Sequence, residues 1–526
     1  MQTYHLAGPS ADRRRVVGEQ FILLAIAVAL MVPELVFGMS NTNSASYSIV
    51  WTKQYGDALA SGQIYPRWLP DSFDHLGSPA FYFYPPFAYF LCGALSAVGL
   101  GAVKAITAAS AGIFFASGAS MYAWLRWKGA RPLLGAIIYM IAPYRLFDVY
   151  SRGAIAEHAA FIWFPLIALG IAALPRRWAA PTLAVALAGL VITHLPMALL
   201  ALCLLVAPLA ALRVRDCPRA IWPGGLALAV GLGLAAFYLV PALTLQSYVK
   251  IQLLWTPAFQ PSHWFIWRWD PVANRDLVFQ AAACVALLGA AARPSSAWFW
   301  LSAAAAAVAF GLLPITALPV LSAIQFPWRA LGLVVFFAAT AIAAAPPRLL
   351  GVALALCLAV PAYVDGARHF ARATLLNDKP PMARIVRDAP DAPEYLPRDF
   401  PGPGLTDAQN YPDLSAYAAL PRGDVIEVTR PGRYAFGRFA FPIWRVTHDG
   451  ADVPTEGPLL GFWATPGEYR IERRPLWQEA VGAAGSALAL ALLLALSLPA
   501  PSRGRAVAWV RRRQPAPGQA EGSMTR

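Results

Sequence analysis

Apolar runs of roughly 17–22 residues recur along this chain, cut by short arginine-rich clusters, and no other feature limits the possible folds as strongly. Each run is long enough for one helix to cross the hydrocarbon core of a bilayer. A soluble chain is about one quarter charged, whereas these 526 residues are 13% charged and 58% hydrophobic. The pattern predicts a polytopic α-helical membrane protein with about twelve transmembrane helices.

A net charge of +14 would suggest nucleic acid in a soluble chain. Here much of the arginine excess sits in short loops: Arg13–Arg15, Arg126 to Arg131, Arg176–Arg177, Arg213 to Arg219 and Arg511–Arg513. That is the asymmetry of cytoplasmic loops, and no interleaved basic–aromatic motif points to a nucleic-acid partner. Five cysteines show no CxxC or paired spacing, which argues against a disulfide framework and a thiolate metal site.

The basic clusters assign sides. Residues 1–17 form a cytoplasmic N-terminus, and the first helix, near 18–38, is a retained span because it lacks a small-residue cleavage site. Reading 80–99 as an interfacial or re-entrant helix keeps the later basic loops inside, and Pro85–Pro86 supports that reading. Spans are then expected near 102–125, 132–147, 158–174, 179–194, 197–213, 221–244, 274–292, 297–313, 328–345 and 347–364, completing a transmembrane domain over 18–364. Its outer loops are 39–101, 148–157, 245–273 and 314–327. Over 365–476 hydropathy falls and pieces such as "GRYAFGRFAF" and "WRVTHDGADV" alternate between turn residues, predicting a small extracytoplasmic β-sandwich. A last span over 477–500 leads to a basic, disordered cytoplasmic tail, 501–526.

Polar side chains at the outer face of a membrane domain are candidates for function. Tyr47, Val50, Trp51, Tyr55, Ala58 and Leu59 recur at helical spacing, which predicts an amphipathic helix lying on the surface. After it, "YPRWLPDSFDHLGSPAFYFYPPF" supplies Arg67, Asp71, Asp74, His75, Tyr82 and Tyr84. Asp71 either opens a turn or joins Asp74 and His75 as base or metal ligand. "YSRGAIAEHAAF" offers Arg152, Glu157 and His158: an interfacial ion pair, or a base beside a phosphate-binding cation. His194 bonds between helices or faces the site. Lys250 and Arg268 sit among interface tryptophans and suit a lipid pyrophosphate. Arg329, just inside a span, either snorkels outward or faces a polar cavity.

Several motifs carry a resemblance: "GQIYPRW", "GSPAFYFYPPFAYFL", "RGAIAEHAAF", "THLPMALL", "IQFPWRALGL", "EYLPRDF" and "FPIWRVTHDGADV". They resemble a bacterial membrane-protein family labelled 6-pyruvoyl-tetrahydropterin-synthase-related, which is similar to the GT-C type glycosyltransferases. The resemblance implies a GT-C-like fold in the bacterial inner membrane and transfer of sugar from a polyprenyl-phosphate donor to a glycan or glycolipid on the outer side. It also implies an acidic residue in each of the first two outer loops, and sometimes a divalent metal. The second acid maps onto Glu157. The first falls on Asn43, with Tyr47 where a His is expected, and an amide is no general base. Asp57, Asp71, Asp74 or Glu34 then substitutes, with Asp71 and Glu157 as the metal pair, or the chain does not catalyse. The alternatives to an enzyme are an envelope-assembly scaffold and a transporter of lipid-linked sugar.

Overall fold

The computed structural model describes residues 9–40, 44–255, 260–265, 283, 287–318, 321–344, 360, 363–364, 375–376, 391–401 and 414–498. Six helices among them are long and apolar enough to cross a membrane: Asp12–Phe37, Ala102–Trp127, Ile155–Ala173, Leu195–Asp216, Pro327–Ala344 and Trp477–Ser497. Two bent pairs raise the number to at most eight, Pro132–Ile141 with Pro143–Tyr150 and Pro218–Leu234 with Ala236–Thr244. The first bend, of 41°, falls where Ala142 precedes Pro143 and takes ψ 134, because proline disfavours helical geometry in the residue before it.

The expected count of about twelve is thus not reached among the described residues. Ala179–Val191 has 13 residues, or about 20 Å at 1.5 Å per residue, too short for a hydrocarbon core of about 30 Å. It stops because His194 adopts an extended backbone, with Pro196 in the first turn of the next helix. Ala297–Ala309 is equally short. The expected spans near 274–292 and 347–364 lie mostly outside the described residues.

The helix Ala45–Ala60 carries the predicted apolar stripe, but it lies against protein rather than along an open surface. Ile49, Val50, Trp51 and Tyr55 are buried against Phe87–Ala97 and its surroundings. Gly56 and Gly93 set the close approach, since a Cβ on Gly56 would come within 2.7 Å of Ser96 Cβ. Phe87–Ala97 has 11 residues, about 16 Å, and does not span.

Residues 425–473 form the β-rich part. Its strands are β1 (Val425–Val428), β2 (Gly432–Phe439), β3 (Trp444–His448), β4 (Ala451–Val453), β5 (Leu459–Ala464) and β6 (Gly467–Arg473). One sheet has the order β1-β6-β3-β4, and β2 pairs with β5 in a second. Phe436, Leu460 and Phe462 of the small sheet meet Val446, Tyr469 and Ile471 of the larger one in a shared core. Between β3 and β4 stands the two-residue loop Asp449–Gly450, with φ of 50° and 78°; two left-handed residues match the twist of the flanking strands. Phe439 and Leu459 also pack on Phe73 and Leu76, so the sandwich is seated on the loop that follows Ala45–Ala60.

Candidate functional site

Local sequence builds the centre of the site. Pro143 starts a two-turn helix ending at Tyr150, and Gly153, at φ 61°, turns the chain into the helix that begins at Ile155. This brings Tyr144, Asp148, Arg152 and Glu157 together. Arg152 Nη1 donates to Asp148 Oδ1 at 2.5 Å and to Glu157 Oε2 at 2.7 Å. Far along the chain, "FPWRA" delivers Arg329, whose Nε donates to the same Glu157 Oε2 at 3.1 Å. The Tyr144 hydroxyl donates to Glu157 Oε1 at 2.5 Å.

These are two acids and two cations, and both carboxylates are essentially dry: Glu157 is 1% exposed and Asp148 0%. A buried carboxylate without partners would cost several kcal/mol, so this one stands only because its neighbours neutralise it. Aromatic faces cover the cations, with Arg152 4.5 Å from the Trp328 ring and Arg329 4.8 Å from Phe326. Tyr84 lies within the field of Arg329, Glu157 and Arg152, and burial pushes its hydroxyl up to about 12. His194 feels the same three charges. Its Nδ1 accepts from Met197 N at 3.2 Å, which puts the proton of the neutral ring on Nε2.

Of the sequence candidates, then, Glu157, Arg152, Arg329, Tyr84 and His194 gather here. His158 points elsewhere: Arg145 donates to its Nδ1 at 3.1 Å, and its Nε2 faces the Ser110 carbonyl. Arg145 is fully buried and lies between the rings of Phe114, Tyr139 and Phe161.

A second group surrounds the loop of residues 61–79. Asp71 and Arg67 line a cleft beneath the β-sandwich, and Glu157 is not among its lining residues. Arg67 pairs with Glu479 at 3.5 Å, and Tyr82 donates to the same carboxylate at 2.7 Å. His75 meets Asp71 at 3.2 Å, and Asp74 meets Arg422 at 3.4 Å; His75, Asp71 and Asp74 are about half exposed and Arg422 less so. Lys250 lies 5.8 Å from the Phe400 ring, beside the segment 391–400. Arg268 and Asn43 fall outside the described residues. Glu34 is buried and accepts from Thr107 Oγ1 at 3.2 Å, while Tyr47 packs 6.3 Å from Trp51.

Asp148 and Tyr144 were missed by sequence reasoning. The four-residue spacing of Asp148 and Arg152 is the one signal that marks them as neighbours.

Among the described residues no three His, Cys, Asp or Glu side chains converge on a common point. Asp148 and Glu157 approach each other, but Arg152 Nη1 holds the place between them that a bridging cation would take. Asp71, the expected second ligand, lines the other cleft. The donor set does not fit a divalent ion.

No protein-family model matches the chain, so the family suggested by its motifs gains no support there. No curated protein matches it either. Among solved structures it is similar to arabinofuranosyltransferase AftD from Mycobacteria. A mutant form matches with TM-score 0.42 and 15% identity over 70% of this chain and 28% of that one. A second AftD structure matches with TM-score 0.40 and 17% identity, over 66% and 26%. The chain spans little more than a quarter of the AftD length, and a likeness this faint adds no weight to the geometry above.

Proposed function

We propose that the chain is a membrane glycosyltransferase that moves a sugar from a polyprenyl-phosphate donor to a cell-envelope glycan or glycolipid on the outer side of the bacterial inner membrane. One observation carries the reading: Arg152 and Arg329, from distant segments, converge on a single oxygen of buried Glu157. Two guanidiniums held so close together suit a phosphate group, whose oxygens take the place of the Glu157 carboxylate. The carboxylate released in that exchange is a base beside the reacting centre.

The acceptor hydroxyl then attacks the anomeric carbon and passes its proton to Glu157. The new carbon–oxygen bond forms as the bond to phosphate breaks, and the polyprenyl phosphate leaves with the electron pair, its charge balanced by Arg152 and Arg329. The motif resemblance to GT-C type enzymes supports this assignment of roles.

The test is an assay of envelope glycans and glycolipids in a deletion strain complemented with variants. Glu157→Gln should abolish the product while the protein still reaches the membrane, and Asp71→Asn should restore it. Full rescue by Glu157→Gln would sink the catalytic role. A second reading, a phosphate-binding scaffold without turnover, is favoured by one fact: both oxygens of Glu157 are already engaged. In that case Glu157→Gln rescues, and the double variant Arg152→Ala/Arg329→Ala does not.

A further inference from the structure

A cleft of about 590 Å³ opens between the segment 54–71 and the β-sandwich, lined by none of the residues around Glu157. Its volume is that of a small-ligand site. Three aromatic rings face it, Tyr65, Trp68 and Trp444, with the two indoles edge-to-face at 5.4 Å. Between them stand charged groups that are already matched. Arg438 pairs with Asp424 at 2.8 Å, Arg67 and Arg473 share Glu479 at 3.5 and 3.0 Å, and Asp57 pairs with Lys53 at 2.5 Å.

That lining selects by chemistry. Three cations, Arg67, Arg438 and Arg473, and three acids, Asp57, Asp71 and Asp424, line it, so an anion finds no surplus of positive charge, and the polar walls disfavour a hydrocarbon chain. A neutral polyol fits both features: its hydroxyls meet fixed carboxylates, guanidiniums and the Gln54 and Gln63 amides, while its C–H faces lie on indole rings. Two wall donors, Arg67 Nη1 and Trp444 Nε1, are buried with no acceptor in the protein. A buried donor left so costs about 1–3 kcal/mol, a cost the fold bears to hold these two side chains in the wall.

The wall is also held in place before any ligand arrives. Gly77, at φ 87°, packs under Trp68 so closely that a Cβ there would sit 2.3 Å from the indole. Phe73, Asp74 and His75 form a left-handed turn, with φ of 53°, 54° and 62°, a conformation that costs roughly 1–2 kcal/mol per residue. Gln54 braces its entry, accepting from Asp71 N at 2.8 Å and donating to Ser72 Oγ at 3.1 Å. Strain held by such bracing is common at ligand clamps.

We propose that this cleft is a binding site for a neutral oligosaccharide, with Trp68 and Trp444 against the sugar faces. The inference goes beyond the transferase reading and stands whether or not Glu157 catalyses.

The test uses the full chain in lipid nanodiscs free of glycoside detergent. Short neutral glucans, mannans, galactans and arabinans are titrated by tryptophan emission and calorimetry, with sodium pyrophosphate as the anionic probe. At least one neutral oligosaccharide should saturate the protein. Trp68→Ala should weaken it about tenfold, and Asp57→Ala with Gln63→Ala, both at exposed positions, several-fold with the melting temperature unchanged. Glu157→Gln should bind as the parent does. The proposal is overturned by any one of four results: no saturable binding across the panel, pyrophosphate displacing the sugar, affinity unchanged in the folded Asp57→Ala/Gln63→Ala protein, or affinity lost in folded Glu157→Gln. If Glu157→Gln binds sugar and still makes product, only the transferase reading fails.

Discussion

Around Glu157, charged groups from separate segments are nearly dry: side-chain exposure is 0% for Asp148, 1% for Glu157, 13% for Arg152 and 11% for Arg329. In the loop of Asp71, Asp74 and His75 the same kinds of group remain 42%, 49% and 53% exposed. Both regions hold acids beside cations at hydrogen-bond distance, so distance alone does not separate them. Burial does. An ion pair in water is worth about 0–1 kcal/mol, whereas breaking a dry one strands a charge at about 3–5 kcal/mol. The two sets of acids therefore differ in kind: one is held in a dry electrostatic centre, and the other stays solvated at the protein surface.

The hardest test of that contrast is Glu157→Ala. It leaves Arg152 and Arg329 facing each other with Asp148 as the remaining acid, and should destabilise the protein by about 3–5 kcal/mol in thermal or denaturant unfolding. Adding Arg329→Ala should recover part of the loss, because it removes one of the stranded cations. A cost below about 1 kcal/mol for the single variant would mean that the centre is wet.

Gly77→Ala probes the other region. The residue sits at φ 87° and its Cβ would run into Trp68, so strain and overpacking together should cost about 2–4 kcal/mol. A shifted tryptophan emission should accompany the lower melting temperature, since Trp68 must move. Normal stability with unchanged emission would show that the loop is free to adjust.

A smaller effect should come from the seam between the regions. Glu394 acts on Tyr84 and neighbours Tyr395, which stacks on Phe83 at 5.9 Å. Burial raises the Glu394 carboxyl from its ordinary 4.5 to about 7. A raised acid binds its proton more tightly in the folded chain, so its contribution is fully present below pH 4.5 and is lost as pH rises toward 7. The shift corresponds to at most about 3 kcal/mol, and the partial solvent contact of Glu394 reduces it. Melting temperature measured across that window should fall more for the parent than for Glu394→Gln; parallel curves would place the carboxyl in water.

What the sequence made legible follows from the range of each interaction. The stripe from Tyr47 to Leu59 marked a buried helical face, and Asp449–Gly450 marked a hairpin, because both signals are local. Arg152, Glu157 and Arg329 stood out because charges at span ends are costly wherever the chain goes. The helix count was less legible, since hydropathy counts apolar residues and does not register a break such as the one at His194. The pairing of Asp71 with Glu157 had no local support, and the sandwich that seats on Phe73 and Leu76 decides where that loop lies. Trp68 and Trp444 meet only through the tertiary fold, so no sequence spacing announces the cleft.

The mildest prediction concerns Asp74, which looked like a catalytic acid from sequence. Its φ of 54° lies in the left-handed region, and its carboxylate meets Arg422 at 3.4 Å with 49% of the side chain exposed. Asp74→Asn removes a surface ion pair worth at most about 1 kcal/mol and supplies the side chain that best tolerates this backbone after glycine. The two effects oppose each other, and the net change in unfolding free energy should be within about 0.5 kcal/mol. Asp74→Val keeps neither advantage and should cost about 1–2 kcal/mol through backbone strain. If Asn proves as costly as Val, the carboxylate matters more than the turn, and Asp74 belongs with the buried acids rather than with the solvated ones.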